Sequence, residues 1–176
     1  GAGEVGSYVA ELLARHGNDV AVVESDRQRI RDLEARLDVL VVHGSGTHPQ
    51  TLELAGVEKA GLCVAVTSND EVNLISTLLA KQAGVERTVV RIEAPELRSR
   101  YASQLRDAIG IDLVIDPDAE TAAEILELLE APGATEVAKF SQGEVIVVGT
   151  TLGAEAPLCG QTLSEIAERY EPDWDF

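Results

Sequence analysis

Short runs of β-branched and aliphatic residues alternate with stretches of helical periodicity up to residue 132. That alternation constrains the fold more than any other feature of the chain. Residues 20–23 (VAVV), 39–42 (VLVV), 62–66 (LCVAV), 88–92 (TVVRI) and 113–115 (LVI) read as strands. The first two are continuous apolar runs, the pattern of strands buried on both faces. Val5, Val9, Leu12 and Leu13 repeat at i, i+4, i+7 and i+8, which predicts a helix over 4–16 that Gly17 ends. Asp26 is placed to cap a helix carrying Ile30, Leu33 and Leu37, and Pro49 suits the first turn of another. Ser68 and Glu71 have capping-box spacing ahead of a helix predicted to turn Val72, Ile75 and Leu79 inward. Residues 96–107 predict a charged surface helix. Residues 121–130 predict a helix with Ala122, Ile125, Leu126 and Leu129 inward, following a strand that Pro117 cuts off. Strands alternating with helices specify an α/β fold, and right-handed crossovers make its parallel sheet doubly wound.

The pattern changes after Pro132-Gly133. Residues 137–140 and 144–148 read as adjacent strands around Ser141-Gln142-Gly143, a hairpin-like signal, and 162–169 as a helix. The expected organisation is a domain over 1–133 and the start of a smaller α+β lobe over 134–176, too short for a stable core of its own. The chain lacks Met and opens inside a glycine motif, so a further strand is expected before residue 1 and both ends look trimmed.

Charge narrows the function classes. Thirty-one acidic residues face fourteen basic ones, a net charge of −17 in 176 residues. Such a surface is a poor partner for nucleic acid and for anionic lipid. It suits a salt-adapted cytosol, or simply an acidic soluble protein. The longest apolar run, 62–66, is far short of the roughly 20 residues a spanning helix needs, so no membrane insertion is expected. No signal peptide is visible. Cys63 and Cys159 lie far apart with no metal-ligand spacing, so reduced cytosolic thiols and no metal site are expected.

The chemistry concentrates at the ends of the strands. Gly1-Ala2-Gly3-Glu4-Val5-Gly6 fits GxGxxG and opens a helix. Gly1 permits the tight turn, Gly3 lets backbone approach a pyrophosphate, and Gly6 allows close helix–strand packing. The helix N-terminus then offers N–H groups to phosphate. Glu24 ends the second strand of the Rossmann-like unit, 21 residues after Gly3, where a carboxylate accepts from ribose hydroxyls and repels a 2′-phosphate. Glu24→Ala is therefore expected to weaken adenosine binding with the fold intact. Three further loops leave the same edge: Gly44-Ser45-Gly46-Thr47, Thr67-Ser68-Asn69, and the stretch after Arg91. Arg91 needs an anionic partner, either a bound phosphate or Glu24 or Glu93. His16, His43 and His48 have no evident Asp partner or nucleophile, so no catalytic residue is assigned.

These residues resemble a known family. GAGEVG, Val22-Val23-Glu24, the run from Gly44 to Pro49, Leu54-Ala55-Gly56, and Val64-Ala65-Val66-Thr67-Ser68-Asn69-Asp70-Glu71-x-Asn73 together are similar to the RCK or KTN domain, and more narrowly to the TrkA family. Members of that family are nucleotide-binding regulatory subunits of Trk potassium uptake systems. Ile115-Asp116-Pro117, the run 131–134 and the run 157–160 resemble the end of the RCK N-lobe and the start of its C-lobe. The resemblance implies NAD(H) contacts at Gly1, Ala2, Gly3, Glu4 and Val5 for the pyrophosphate. It implies Glu24 at the ribose, Ser45 beside the adenosine, Thr67 and Ser68 at the loop, and Arg91 on phosphate. Many members have Gly-Asp where this chain has Gly44-Ser45, which leaves ATP or ADP as alternative ligands. Also implied are a membrane potassium transporter subunit as partner, a homo-oligomer, and a cytoplasmic location peripheral to the inner face of the plasma membrane. Two alternatives stay open: the cofactor domain of an NAD-dependent oxidoreductase, and an RCK module of another cation channel or exchanger.

Overall fold

The computed structural model describes residues 1–98, 100–140 and 144–170. Contacts divide the chain into two compact units, Gly1–Glu120 and Thr121–Phe176.

In the first unit α1 (Glu4–Arg15) is followed by β1 (Ala21–Glu24), α2 (Arg27–Glu34), β2 (Leu40–His43) and the short α3 (Pro49–Leu54). Then come β3 (Leu62–Ala65), α4 (Asp70–Gln82), β4 (Arg87–Arg91), α5 (Arg100–Ile109) and β5 (Leu113–Ile115). All the strand pairings are parallel: β1 with β2, β3 with β4, and β4 with β5. They form two separate sheets, β1-β2 and β3-β4-β5. Each sheet has its own core. Ala2, Ala10, Val22 and Leu33 pack beneath the first, and Leu74, Val90 and Ile92 beneath the second.

Local chemistry explains the boundaries. Gly17, at φ +79°, takes the left-handed turn that ends α1, and its N–H bonds to Ala14 O at 2.9 Å. The Asp26 side chain accepts from the N–H groups of Gln28 and Arg29 and starts α2. Pro49 stands in the first turn of α3.

Four expectations are corrected. The cap of α4 is Asn69, not Ser68, because Asn69 Oδ1 accepts from Val72 N–H at 2.7 Å. The helix also buries a different face. Asn73, Leu74, Ser76, Thr77 and Ala80 are buried, whereas Ile75 is exposed. The polar members of that face are tolerated because each finds an internal hydrogen-bond partner, as described below. Strand β2 is not buried on both faces: only Val42 is, and Leu40 is exposed. It has a single neighbour, β1. Finally, the charged helix after β4 divides into a 3₁₀ turn, Pro95–Arg98, and α5.

The helix α6 (Pro117–Glu130) begins four residues earlier than its periodicity suggests. Pro117 occupies its first position rather than merely ending β5, and Asp116 accepts from Ala119 N–H at 3.2 Å. Ile125, Leu126 and Leu129, expected inward, are exposed.

In the second unit β6 (Glu136–Phe140) pairs antiparallel with β7 (Val145–Gly149), as the hairpin signal anticipates. The turn expected at Ser141-Gln142-Gly143 lies outside the described residues. Helix α7 (Leu163–Tyr170) opens with a true capping box. Thr162 Oγ1 accepts from Glu165 N–H, and the Glu165 carboxylate accepts from Thr162 N–H at 2.8 Å. No helix among the described residues is long and apolar enough to cross a membrane.

Candidate nucleotide-binding site

Of the predicted site residues, Gly1, Ala2, Glu24 and Thr67 come together just past the ends of β1 and β3. A Cβ added at Gly1 would stand 3.1 Å from Thr67 Cγ2 and 3.8 Å from Glu24 Oε2, so the first residue fits between the two strand ends. Gly6 is fixed by packing: its Cβ would meet the Gly1 carbonyl oxygen at 1.9 Å, which only glycine avoids. Gly3 differs. Its φ is −70°, and an added Cβ would have only Arg29 Nη1 nearby, at 3.8 Å. The space over Gly3 is open, as close approach of a ligand requires. No side chain caps α1 at Gly3, whereas α2, α4 and α7 all receive side-chain caps. Glu4 and Val5 are exposed on its first turn.

Glu24 holds this loop in place. The residue is only 6% exposed. Its Oε2 accepts from Ala2 N–H at 2.5 Å, and its Oε1 accepts from the N–H groups of Ser25 and Asp26, each at 2.8 Å. Burial raises the Glu24 carboxyl, but the three backbone donors outweigh it and hold the group below its ordinary value. Ser25 Oγ also donates to Oε1 at 3.4 Å, so Oε1 is filled and only Oε2, with Ala2 N–H as its single donor among the described residues, keeps an acceptor position open. Truncation with the fold intact, expected from the sequence, is not compatible with this geometry. Glu24→Ala would leave three N–H donors without their partner.

A second hub was missed as a site residue. Asn73 is fully buried on α4. Its Oδ1 accepts from Thr67 N–H at 2.8 Å and from Thr67 Oγ1 at 2.7 Å, while its Nδ2 donates to Thr67 O and Arg91 O. One amide therefore ties the loop after β3 to the end of β4. Asp70 supplements it by accepting from the N–H groups of Glu93 and Ala94. The signal was available: both residues lie in the quoted Thr67–Asn73 motif, on a helix whose buried face is otherwise small or apolar.

The remaining predicted residues sit around this frame. Ser45 follows Gly44, whose N–H bonds to Glu24 O at 2.9 Å. Its hydroxyl pairs with Thr47 Oγ1 at 2.8 Å. Gly46 passes so close to α4 that a Cβ would meet Ser76 Oγ at 2.5 Å. Ser68 is exposed. Arg91 pairs with Glu93, the structural partner foreseen for it, and its buried Nε has no partner among the described residues. Beside the loop, an open cleft of about 680 Å³ runs between α1 and α2. Gly3, Ser7, Tyr8, Arg29, Asp32 and Arg36 are among its lining residues. The cleft shares Ala2, Gly3 and Glu4 with the predicted set.

The family profile of the TrkA-N domain matches residues 1–132. The chain belongs to the TrkA-N domain family. A Trk system potassium uptake protein TrkA from Halomonas elongata is 38% identical over 176 residues, covering 99% of this chain and 38% of the relative. The chain thus spans less than two fifths of that relative's length. Among solved structures, GsuK bound to ADP is 28% identical with a TM-score of 0.56, covering 74% of this chain and 32% of the other. The GsuK channel bound to NAD has a TM-score of 0.63 at 19% identity, covering 96% of this chain and 30% of the other. That second likeness is one of fold. With it, the parallel sheets and flanking helices of this TrkA-N chain are Rossmann-like.

Proposed function

We propose that this chain is the nucleotide-sensing part of a potassium uptake regulator, with residues 1–133 as the binding lobe. The observation that carries this is the open space over Gly3 at an uncapped helix N-terminus, one residue after Ala2, whose N–H the Glu24 carboxylate holds. That arrangement suits a pyrophosphate on backbone N–H groups and ribose hydroxyls on Glu24. NAD, NADH, ATP and ADP share both features. In this reading Gly1, Ala2, Gly3, Glu4 and Val5 face the phosphates, Glu24 the ribose and Ser45 the adenosine side. Thr67 and Ser68 form the loop opposite, and Arg91 supplies a cation at the rim.

The module does no chemistry on its ligand. It acts by population shift: the nucleotide binds one arrangement of a homo-oligomer more tightly, and the difference biases a membrane potassium transporter subunit. The domain works in the cytoplasm at the inner face of the membrane. The family name and the transport name of the Halomonas elongata relative support this over an oxidoreductase cofactor domain.

Gly3→Val tests the site. The backbone tolerates a side chain there, so the thermal midpoint should stay unchanged. Calorimetric affinity for NAD and ADP should fall roughly 10- to 100-fold, equivalent to about 1.4–2.7 kcal/mol. Unchanged affinity would remove the assigned pocket. Consumption of bound NADH would instead establish an enzyme.

A further inference from the structure

One wall of the cleft beside the glycine loop carries an exposed cation, Arg29, whose electrostatic partner is the Asp26 carboxylate. Arg29 is the third residue of α2, and its backbone N–H is anchored on Asp26 Oδ1 at 3.0 Å. Its Nη1 lies 3.8 Å from the position a Gly3 Cβ would take. The guanidinium makes no hydrogen bond or ion pair among the described residues. Arg31 bonds Gln28, Arg36 the Asp32 carbonyl and Arg15 Glu11, whereas Arg27, which does not line the cleft, makes no side-chain bond among the described residues. Asp32 accepts from Gln28 Nε2, and Glu4, which also lines the cleft, forms no ion pair. What sets Arg29 apart is its place: among the described residues, and leaving aside the chain neighbours of Gly3, its Nη1 is the only atom within 4 Å of the position a Gly3 Cβ would take.

We propose that Arg29 is the side chain that grips the phosphate bridge of the bound nucleotide. This rests on the nucleotide lying on the glycine loop, as proposed above. The guanidinium presents a planar fork of donors that matches two phosphate oxygens at once, which an ammonium does not. Backbone N–H groups of α1 would take one side of the phosphates and Arg29 the other. The ligand class is accordingly a nucleotide with at least two linked phosphates. Adenosine alone would leave Arg29 unused. The residue escapes sequence reasoning because it lies on the polar face of a helix with three other arginines in a run of ten residues, 27–36.

The experiment is calorimetric titration of the chain and of Arg29→Gln and Arg29→Lys with NAD, ADP, NADP and adenosine. Arg29→Gln should weaken NAD and ADP roughly 10- to 100-fold, the effect of losing a hydrogen bond to a charged group. Adenosine affinity and the thermal midpoint should not change, and Arg29→Lys should recover part of the loss. Equal NAD and ADP affinities in the parent and Arg29→Gln overturn the assignment while leaving the site itself standing. A loss confined to NADP, or one shared by adenosine, overturns it too by placing Arg29 at the ribose or base. If the parent binds neither NAD nor ADP, or Gly3→Val leaves both affinities unchanged, the site fails and the assignment with it.

Discussion

The two units of the chain use similar apolar patterns and reach opposite results. Every buried side chain among the described residues lies between Ala2 and Ile92, in the first unit. In the second, no described residue is buried. Leu33 of α2 is 1% exposed, whereas Leu126 of α6, at an equally regular helical position, is 60% exposed. Val145, Ile146, Val147 and Val148 of β7 are all more than half exposed. Periodicity therefore tells which face of an element is apolar. It does not tell whether anything in the same chain covers that face.

The sharpest way to break this contrast is to truncate one leucine in each unit. Leu33→Ala removes a side chain packed with Ala2, Ala10 and Val22, and should cost about 2–5 kcal/mol in urea denaturation. Leu126→Ala should cost no more than about 0.5 kcal/mol, as for an exposed position. Equal costs would mean that the second unit acquires a cover in solution, and the contrast would belong to the isolated chain only.

Next in size is the polar hub of the first unit. Asn73→Ala leaves Thr67 N–H, Thr67 O and Arg91 O without their partner inside the fold, and should destabilise by roughly 2–4 kcal/mol. Asn69→Ala, one turn earlier on the same helix, removes a single capping bond and should cost about 1 kcal/mol. Chemical denaturation of both variants checks the order. A hub no more costly than the cap would show that water replaces its bonds.

These cases also mark how much was legible. The alternation of strands and helices, the glycine end of α1, and the hairpin β6-β7 follow from local rules that act within a few residues. The close packing expected at Gly6 follows from spacing in the same way. What spacing could not provide was the long-range side-chain partner. Asn73 reads as a polar interruption of an apolar stripe until Thr67 and Arg91 are brought to it by β3 and β4. The inward face of α4 was misassigned for that reason, since its buried positions carry Asn, Ser and Thr held by internal bonds. Glu24 was placed at the right strand end, but its hold on Ala2 depends on a contact 22 residues apart. For α6 the failure was of another kind: the pattern was seen correctly, and the missing quantity was the neighbour.

The smallest expected effect compares the surface ion pairs of the two units. Asp112 of the first unit accepts from Lys81 Nζ at 2.8 Å and from the Thr88 N–H and hydroxyl. These partners, the Lys81 bond foremost, lower its carboxyl to about 2 from 3.8. A depressed carboxyl stabilises the fold above its unfolded value and loses that contribution as pH falls toward the folded one. The contribution of Asp112 should therefore be complete near neutrality and disappear between about pH 4 and pH 2. In the second unit Lys139 pairs with Glu127 and Glu130, which raises its ammonium above 10.5. The part of its stability that comes from the raised ammonium is present at neutral pH and is lost as pH rises through that raised value. Thermal midpoints of the parent and of Asp112→Asn, measured from pH 2 to 6, should differ at the upper end and converge toward pH 2. Parallel curves over that range would mean that solvent screening reduces the Lys81–Asp112 pair to the level of an ordinary exposed contact, and that the two units do not differ in this respect.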